Sequence, residues 1–236
     1  MRTPDGNFII GLSTVNNNAQ TIADYYLERH GQPSWFIPYG AATGPVETRE
    51  ALDRCGIEPG GYWLYVSRLE PENNALLVVR AFERTAVRRK LVVVGDAPYA
   101  QEYIRQVRAT RDPRVVFTGY VYGAGYHELQ ANSFAYVHAT EVGGTHPALI
   151  EAMGRGRCVL YLDNPENREV AGAVGIPFPN DEAALAGEIE RVEGMAEEER
   201  AALGRRARER VRERYDWERV TDRYEELLRQ CLGRGV

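Results

Sequence analysis

Short, almost wholly apolar runs alternate with amphipathic stretches through the middle of the chain. The runs GYWLYVSRL, KLVVVG, RVVFTG, FAYVHAT and CVLYLD are too short for buried helices, and their β-branched and aromatic content predicts strands. Between them lie ENNALLVVRAFERT, APYAQEYIRQVRAT, GYHELQAN and PALIEAMGRG, with ENREVAGA after the last run. Their apolar residues recur at helical spacing, which predicts helices. All-apolar strands that alternate with helices require a parallel sheet covered on both faces. The pattern therefore predicts an α/β, doubly wound parallel sheet over residues 41–236.

The two ends differ. At the start, NFIIGLS and SWFIPYG predict strands around a helix in NNNAQTIADYYLERHG, which Gly31 stops. The stretch AATGPVETREALDRCGIEPGG is rich in Gly and Pro and marks a junction with one short helix. At the other end, DEAALAGEIERV, AEEERAALGRRARERVRERY and DWERVTDRYEELLRQCLG predict a helical C-terminal tail. Glu and Arg alternate there at the spacing of solvated, ion-paired faces.

Composition narrows the function classes. The 236 residues are 44% hydrophobic, which suffices for a buried core. A net charge of -5 argues against a nucleic-acid footprint, so no nucleic acid is expected as partner. Lys90 is the only lysine, and arginine carries nearly all the positive charge. The three cysteines, Cys55, Cys158 and Cys231, form no C-x-x-C pair and suit a reducing compartment. No apolar run is long enough to span a bilayer, and the expected location is cytoplasmic, including the inner face of the cell membrane. The four histidines show no metal-ligand spacing, so no metal and no resident cofactor are expected. GAGYHE at residues 123–128 lacks the third glycine of a dinucleotide fingerprint and carries no such reading.

Ligands of doubly wound sheets bind beyond the carboxyl ends of the strands. After FAYVHAT comes Glu141-Val142-Gly143-Gly144-Thr145-His146, and Pro147 then opens a helix. Backbone N–H groups at a helix start attract anions, and glycines admit close approach. The loop is either such a cradle or an ordinary turn capped by Thr145. Glu151 lies one turn into the helix among apolar neighbours, where a carboxylate needs a partner. It either accepts sugar hydroxyls or is a surface glutamate. After GYWLYVS comes Arg68, placed to grip a diphosphate or to pair with Glu70 or Glu72.

Together YVSRLEPENN, LVVVGDAP, VVFTGYV, EVGGTHPALIEAMGRGRCVLYLD and NREV resemble, in order, the donor-binding half of a retaining GT-B glycosyltransferase of family 4. The wording VGGT-x-P-x-L-x-E-A-M is similar to bacterial rhamnosyltransferase-type enzymes of cell-surface polysaccharide synthesis. The resemblance implies a Rossmann-like C-terminal half and a nucleotide sugar, such as dTDP-rhamnose, as donor. It implies a glycan or lipid-linked acceptor, and no cofactor beyond the donor itself. Arg68 and Glu141 would serve catalysis by holding the departing diphosphate and the sugar. Gly119, Tyr120 and Val121 would lie along the nucleobase. Gly143, Gly144 and Thr145 would meet the sugar or its phosphate, and Glu151 would take the ribose hydroxyls. Asn73 stands where the family usually carries a second cation. Glu141 and Glu151 are ten positions apart, against eight in the family's E-x7-E pattern.

Residues 1–40 resemble the end of an acceptor domain plus linker. The expectation is a chain that binds a nucleotide sugar and transfers poorly alone, completed by a separate acceptor-domain chain or by self-association through exposed strand edges. The alternative from another class is a non-catalytic nucleotide-sugar-binding module.

Overall fold

The computed structural model describes residues 19–31 and 34–233. The expected strand NFIIGLS lies outside them. Helix α1 (Gln20–His30) ends at Gly31, whose left-handed backbone closes the last turn on Leu27 and Tyr26. SWFIPYG does not form the expected strand. A strand needs a hydrogen-bonding neighbour, and this segment instead lays Ile37 against Val220 and Leu227 of the last helix. Helix α2 (Glu50–Cys55) follows.

The alternating unit then unfolds as β1 (Tyr62–Val66), α3 (Ala75–Glu83), β2 (Lys90–Val94), α4 (Gln101–Arg108), β3 (Val115–Gly119), α5 (Gly123–Asn132), β4 (Ala135–His138), α6 (Pro147–Gly154), β5 (Cys158–Leu162) and α7 (Pro165–Ala171). A short strand, β6 (Ile176–Phe178), was not expected from the pattern. Pro177 at its centre and its three-residue length hide it. Helices α8 (Glu182–Glu193), α9 (Glu197–Arg214) and α10 (Trp217–Gly233) follow.

The sheet order is β3-β2-β1-β4-β5-β6, and every pairing is parallel. Period-two alternation splits the core into two layers. Trp63, Tyr65, Leu91 and Val93 face α3, α4 and α8. Tyr62, Leu64, Val92 and Val94 face α2, α5, α6 and α9. This is the doubly wound sheet, with strand order reversing between β1 and β4.

Helix starts follow local chemistry. The Asn164 side chain accepts from the N–H of Asn167 at 2.8 Å and caps α7, and Asp181 caps α8 through Ala184 at 2.7 Å. Helix α9 opens on Glu197, Glu198 and Glu199 and closes on Arg212 and Arg214, charges that complement its dipole. The linker is clamped to the tail: the N–H of Ala41 donates to Tyr215 at 2.8 Å, and Gly40 sits so close to the Trp217 indole that a Cβ would lie 2.4 Å from it.

Candidate active site

The carboxyl ends of β1 and β4 adjoin at the point of strand reversal, and two loops meet there. The loop after β1 crosses the exit of β2. Gly95 permits the crossing: a Cβ on it would lie 1.8 Å from the Ser67 carbonyl oxygen, and its φ is +123°. Its N–H donates to Gly119 at 2.8 Å, so the exits of β1, β2 and β3 are drawn together.

Arg68 emerges from this junction with a side chain 67% exposed. One guanidinium nitrogen lies 3.2 Å from a Glu70 carboxylate oxygen, the ion pair already named as one reading of Arg68. Glu70 is buried and also accepts the Tyr99 hydroxyl. The Arg68 end of the pair is open to solvent, whereas the Glu70 carboxylate is not.

Asn73 is turned inward. Its amide donates to the Arg68 carbonyl at 2.9 Å and accepts from the Thr140 hydroxyl at 3.0 Å. It thereby ties the β1 loop to the β4 exit, and its side chain positions Arg68. Asn74 holds the left-handed conformation at φ 58°, which a short polar side chain tolerates. Its amide donates to Ala139 at 2.9 Å and to Glu141 at 3.1 Å.

Glu141 is exposed, and its carboxylate also accepts from Asn180. The Asn164 amide holds the carbonyls of Thr140 at 3.1 Å and Glu141 at 3.2 Å, and Asn167 holds Thr140 at 3.0 Å. Asparagines from the exits of β1, β5 and β6 thus converge on Thr140 and Glu141. Asn74, Asn164 and Asn180 were not read from the sequence. Asn164 and Asn180 each stand two residues past a strand, so inspecting every strand exit would have found Asn164. Asn180 was hidden with β6.

In the following loop Gly143 has φ +139°, and a Cβ there would lie 2.6 Å from the His146 ring. Gly144 is half-buried and Thr145 is buried. The His146 ring packs against His138 of β4, with centroids 4.7 Å apart. Burial, and then the neighbouring His146, hold His138 well below its ordinary value. Burial pushes His146 down to about 4. Both rings are therefore neutral at physiological pH and brace the loop as an uncharged, ring-on-ring pair.

Glu151 finds its partner in Tyr126 of α5, whose hydroxyl donates to Oε2 at 2.5 Å. Gln130 donates to the same hydroxyl at 2.8 Å and directs its proton toward the carboxylate. Among the described residues Oε1 of Glu151 carries no hydrogen bond. Tyr126→Phe is expected to lower unfolding stability by about 1–3 kcal/mol, since it strips a half-buried charge of its donor. Urea unfolding of the variant would measure this, and an unchanged midpoint would show that water serves Glu151 equally well.

Gly119, Tyr120 and Val121 lie at the exit of β3. Tyr120 stacks on Tyr122 with centroids 5.7 Å apart and planes at 16°, and both rings are exposed. Among the described residues no group of three His, Cys, Asp or Glu side chains could hold a metal ion, and no helix is long and apolar enough to cross a membrane.

Comparison with known proteins gives this geometry a family. The profile described as "Glycosyl transferases group 1" matches residues 60–193. The lipopolysaccharide 1,2-N-acetylglucosaminetransferase of Salmonella typhimurium is 27% identical over 190 residues, which are 72% of this chain and 49% of that enzyme. The O-antigen chain mannosyltransferase B of Escherichia coli is 26% identical over 152 residues, covering 61% of this chain and 40% of that one. The chain spans about half the length, or less, of these curated relatives. Among solved structures, sucrose-phosphate synthase from Thermosynechococcus elongatus superposes with a TM-score of 0.79 at 21% identity, covering 92% of this chain and 58% of that one. Anabaena Alr3699/HepE, solved with UDP-glucose, gives 0.78 at 19% identity, covering 90% and 62%. At these identities the superpositions show the fold, the Rossmann-like half of the GT-B architecture. With more than half of its length matched by the profile, the chain belongs to the group 1 glycosyl transferases.

Proposed function

We propose that this chain is the donor-binding half of a retaining glycosyltransferase, which moves a sugar from a nucleotide-diphosphate sugar to a glycan or lipid-linked acceptor in cell-surface polysaccharide synthesis. One observation carries the reading. Arg68 leaves the sheet at the β1 exit, Glu141 at the β4 exit, and Glu151 stands on the helix that follows, all at the reversal of strand order. That is where this fold binds nucleotides.

In this reading the Arg68 fork takes the diphosphate, and Glu151 accepts the ribose hydroxyls. The backbone of Gly143, Gly144 and Thr145 and the carboxylate of Glu141 hold the sugar. Gly119, Tyr120 and Val121 border the base, and Asn73 acts through the loop that presents Arg68. The acceptor oxygen bonds to the anomeric carbon as the carbon–oxygen bond to the diphosphate breaks. The acceptor proton passes to the departing diphosphate on the same face. The chain's task is to stabilise the negative charge that grows there. Anabaena Alr3699/HepE was solved with UDP and with UDP-glucose, which supports a nucleotide sugar. The two curated relatives named above are an N-acetylglucosaminetransferase and a mannosyltransferase, so the proposal is not tied to dTDP-rhamnose. The acceptor domain would come from a further segment or a separate chain.

Calorimetric titration with UDP, dTDP, GDP and ADP tests the site. One diphosphate is expected to bind selectively. Arg68→Ala and Glu151→Ala should each weaken it by about tenfold to a hundredfold, the loss of ~1.5–3 kcal/mol that accompanies a charged hydrogen bond. Arg68→Lys should recover only part of the loss, because an ammonium lacks the fork. A folded chain that binds none of the four, or binding that survives both alanine variants, would refute the reading.

A further inference from the structure

A second concave site lies at the opposite end of the sheet. It is a cavity of about 550 Å³ walled by the segments that enter β1, β2, β4 and β5 and by α9 from Glu197 to Arg208. Because all strands are parallel, these entries are as far from the donor crevice as the domain allows.

Arginine dominates its lining: Arg89, Arg157, Arg200, Arg205 and Arg208. Arg89 pairs with Glu193. Among the described residues the other four have no carboxylate within ion-pair distance, although Glu197 lines the same cavity. The half-buried Arg208 has a buried Nε with no hydrogen-bond partner. Burial and the neighbouring Arg208 and Arg200 hold the Arg157 pKa below its ordinary value. Like charges gathered in a half-buried space are costly unless something answers them.

The cluster is also built. Gly204 of α9 meets Gly156 so closely that a Cβ would lie 2.0 Å from its carbonyl oxygen. That approach lays Arg208 over Gly156, where it donates to the Arg155 carbonyl at 2.9 Å. Phe134 is flanked by Arg89 at 3.8 Å and Arg200 at 4.1 Å from its ring centroid. Such stacking fixes a guanidinium plane; Arg89 already donates to Gly60 and Glu193, while the N–H donors of Arg200 stay available. The volume falls within the range of small-molecule sites.

We propose that this cavity binds a phosphate or diphosphate group, carried by a small soluble molecule or by a lipid headgroup. Planar forks arranged around one space answer the charge and geometry of phosphate oxygens. The site is independent of the donor crevice and of the reading given to it.

Inorganic pyrophosphate titrated calorimetrically into the full chain is the first probe. Binding is expected to persist in Arg68→Ala, which removes the donor-site fork, and to weaken at least about tenfold in the double variant R200Q/R205Q. Should that variant fail to fold, Arg205→Gln alone carries the test, with a loss of about threefold or more; its side chain is exposed. The second arm is co-sedimentation with phosphatidylglycerol vesicles against phosphatidylcholine vesicles. Selective sedimentation lost in R200Q/R205Q identifies a headgroup as the source; pyrophosphate binding without sedimentation identifies a soluble ligand. Either result supports the site. Absence of both, or pyrophosphate binding that the α9 variants leave unchanged, overturns it.

Discussion

Gly95→Ala is expected to lower the thermal unfolding midpoint by about 4–20 °C. A methyl group at this position would stand 1.8 Å from the Ser67 carbonyl oxygen, a backbone atom that cannot rotate aside. Overpacking of this kind costs ~1–3 kcal/mol, and holding a side chain at positive φ adds ~1–2 kcal/mol. In a chain of this size each kcal/mol moves the midpoint by ~2–4 °C. The damage is local to the site, because Ser67 leads directly into Arg68. Differential scanning calorimetry checks the stability, and nucleotide titration of the surviving fold should show weakened binding. A midpoint within about 2 °C of the parent would mean that the exits of β1 and β2 are not packed as described.

Acidification from pH 7.5 to 5 is expected to remove about 2 kcal/mol through His146 alone. In the unfolded chain its imidazole titrates near ~6.5, and burial in the fold pushes it down to about 4. Between those values the unfolded chain binds the extra proton, so stability falls as pH falls. His138, held low by burial and by His146, acts in the same direction. Urea midpoints measured across this range in the parent and in His146→Gln isolate the effect. The variant should show a shallower decline with acidification, and parallel curves would rule His146 out as its source. Since His146 braces Gly143, donor affinity should weaken over the same interval.

The periodicity of the chain specified the sheet because all-apolar strands separated by amphipathic helices have few other ways to bury their surfaces. Five strands and the helices between them form where expected, with ends displaced by a few residues. Local pattern failed where a segment's state depends on a distant partner. SWFIPYG has strand composition, yet what it meets is α10, which lies near the other end of the chain. β6 exists because Leu160 and Leu162 offer it an edge. The site divides in the same way. Arg68, Glu141 and Glu151 stand out as charges at strand exits or among apolar neighbours. Tyr126, Asn74 and Asn180 are ordinary residues in their own surroundings, and only the fold brings them to those carboxylates. The arginine cavity was equally hidden, since solvated helices give α9 the same alternation of Glu and Arg.

The reversal of strand order has a consequence for how the domain opens. The sheet consists of two locally assembled halves, β3-β2-β1 and β4-β5-β6. Within the sheet they join along one strand pair, with Trp63, Leu64 and Tyr65 registered on Ala135, Tyr136 and Val137. Such a line is a natural boundary between cooperative units. Arg68 belongs to one half, and Glu141 and Glu151 to the other. A ligand held by all three therefore acts as a rivet across the seam, and its occupancy would be recorded far from the crevice as slower amide exchange along β1 and β4.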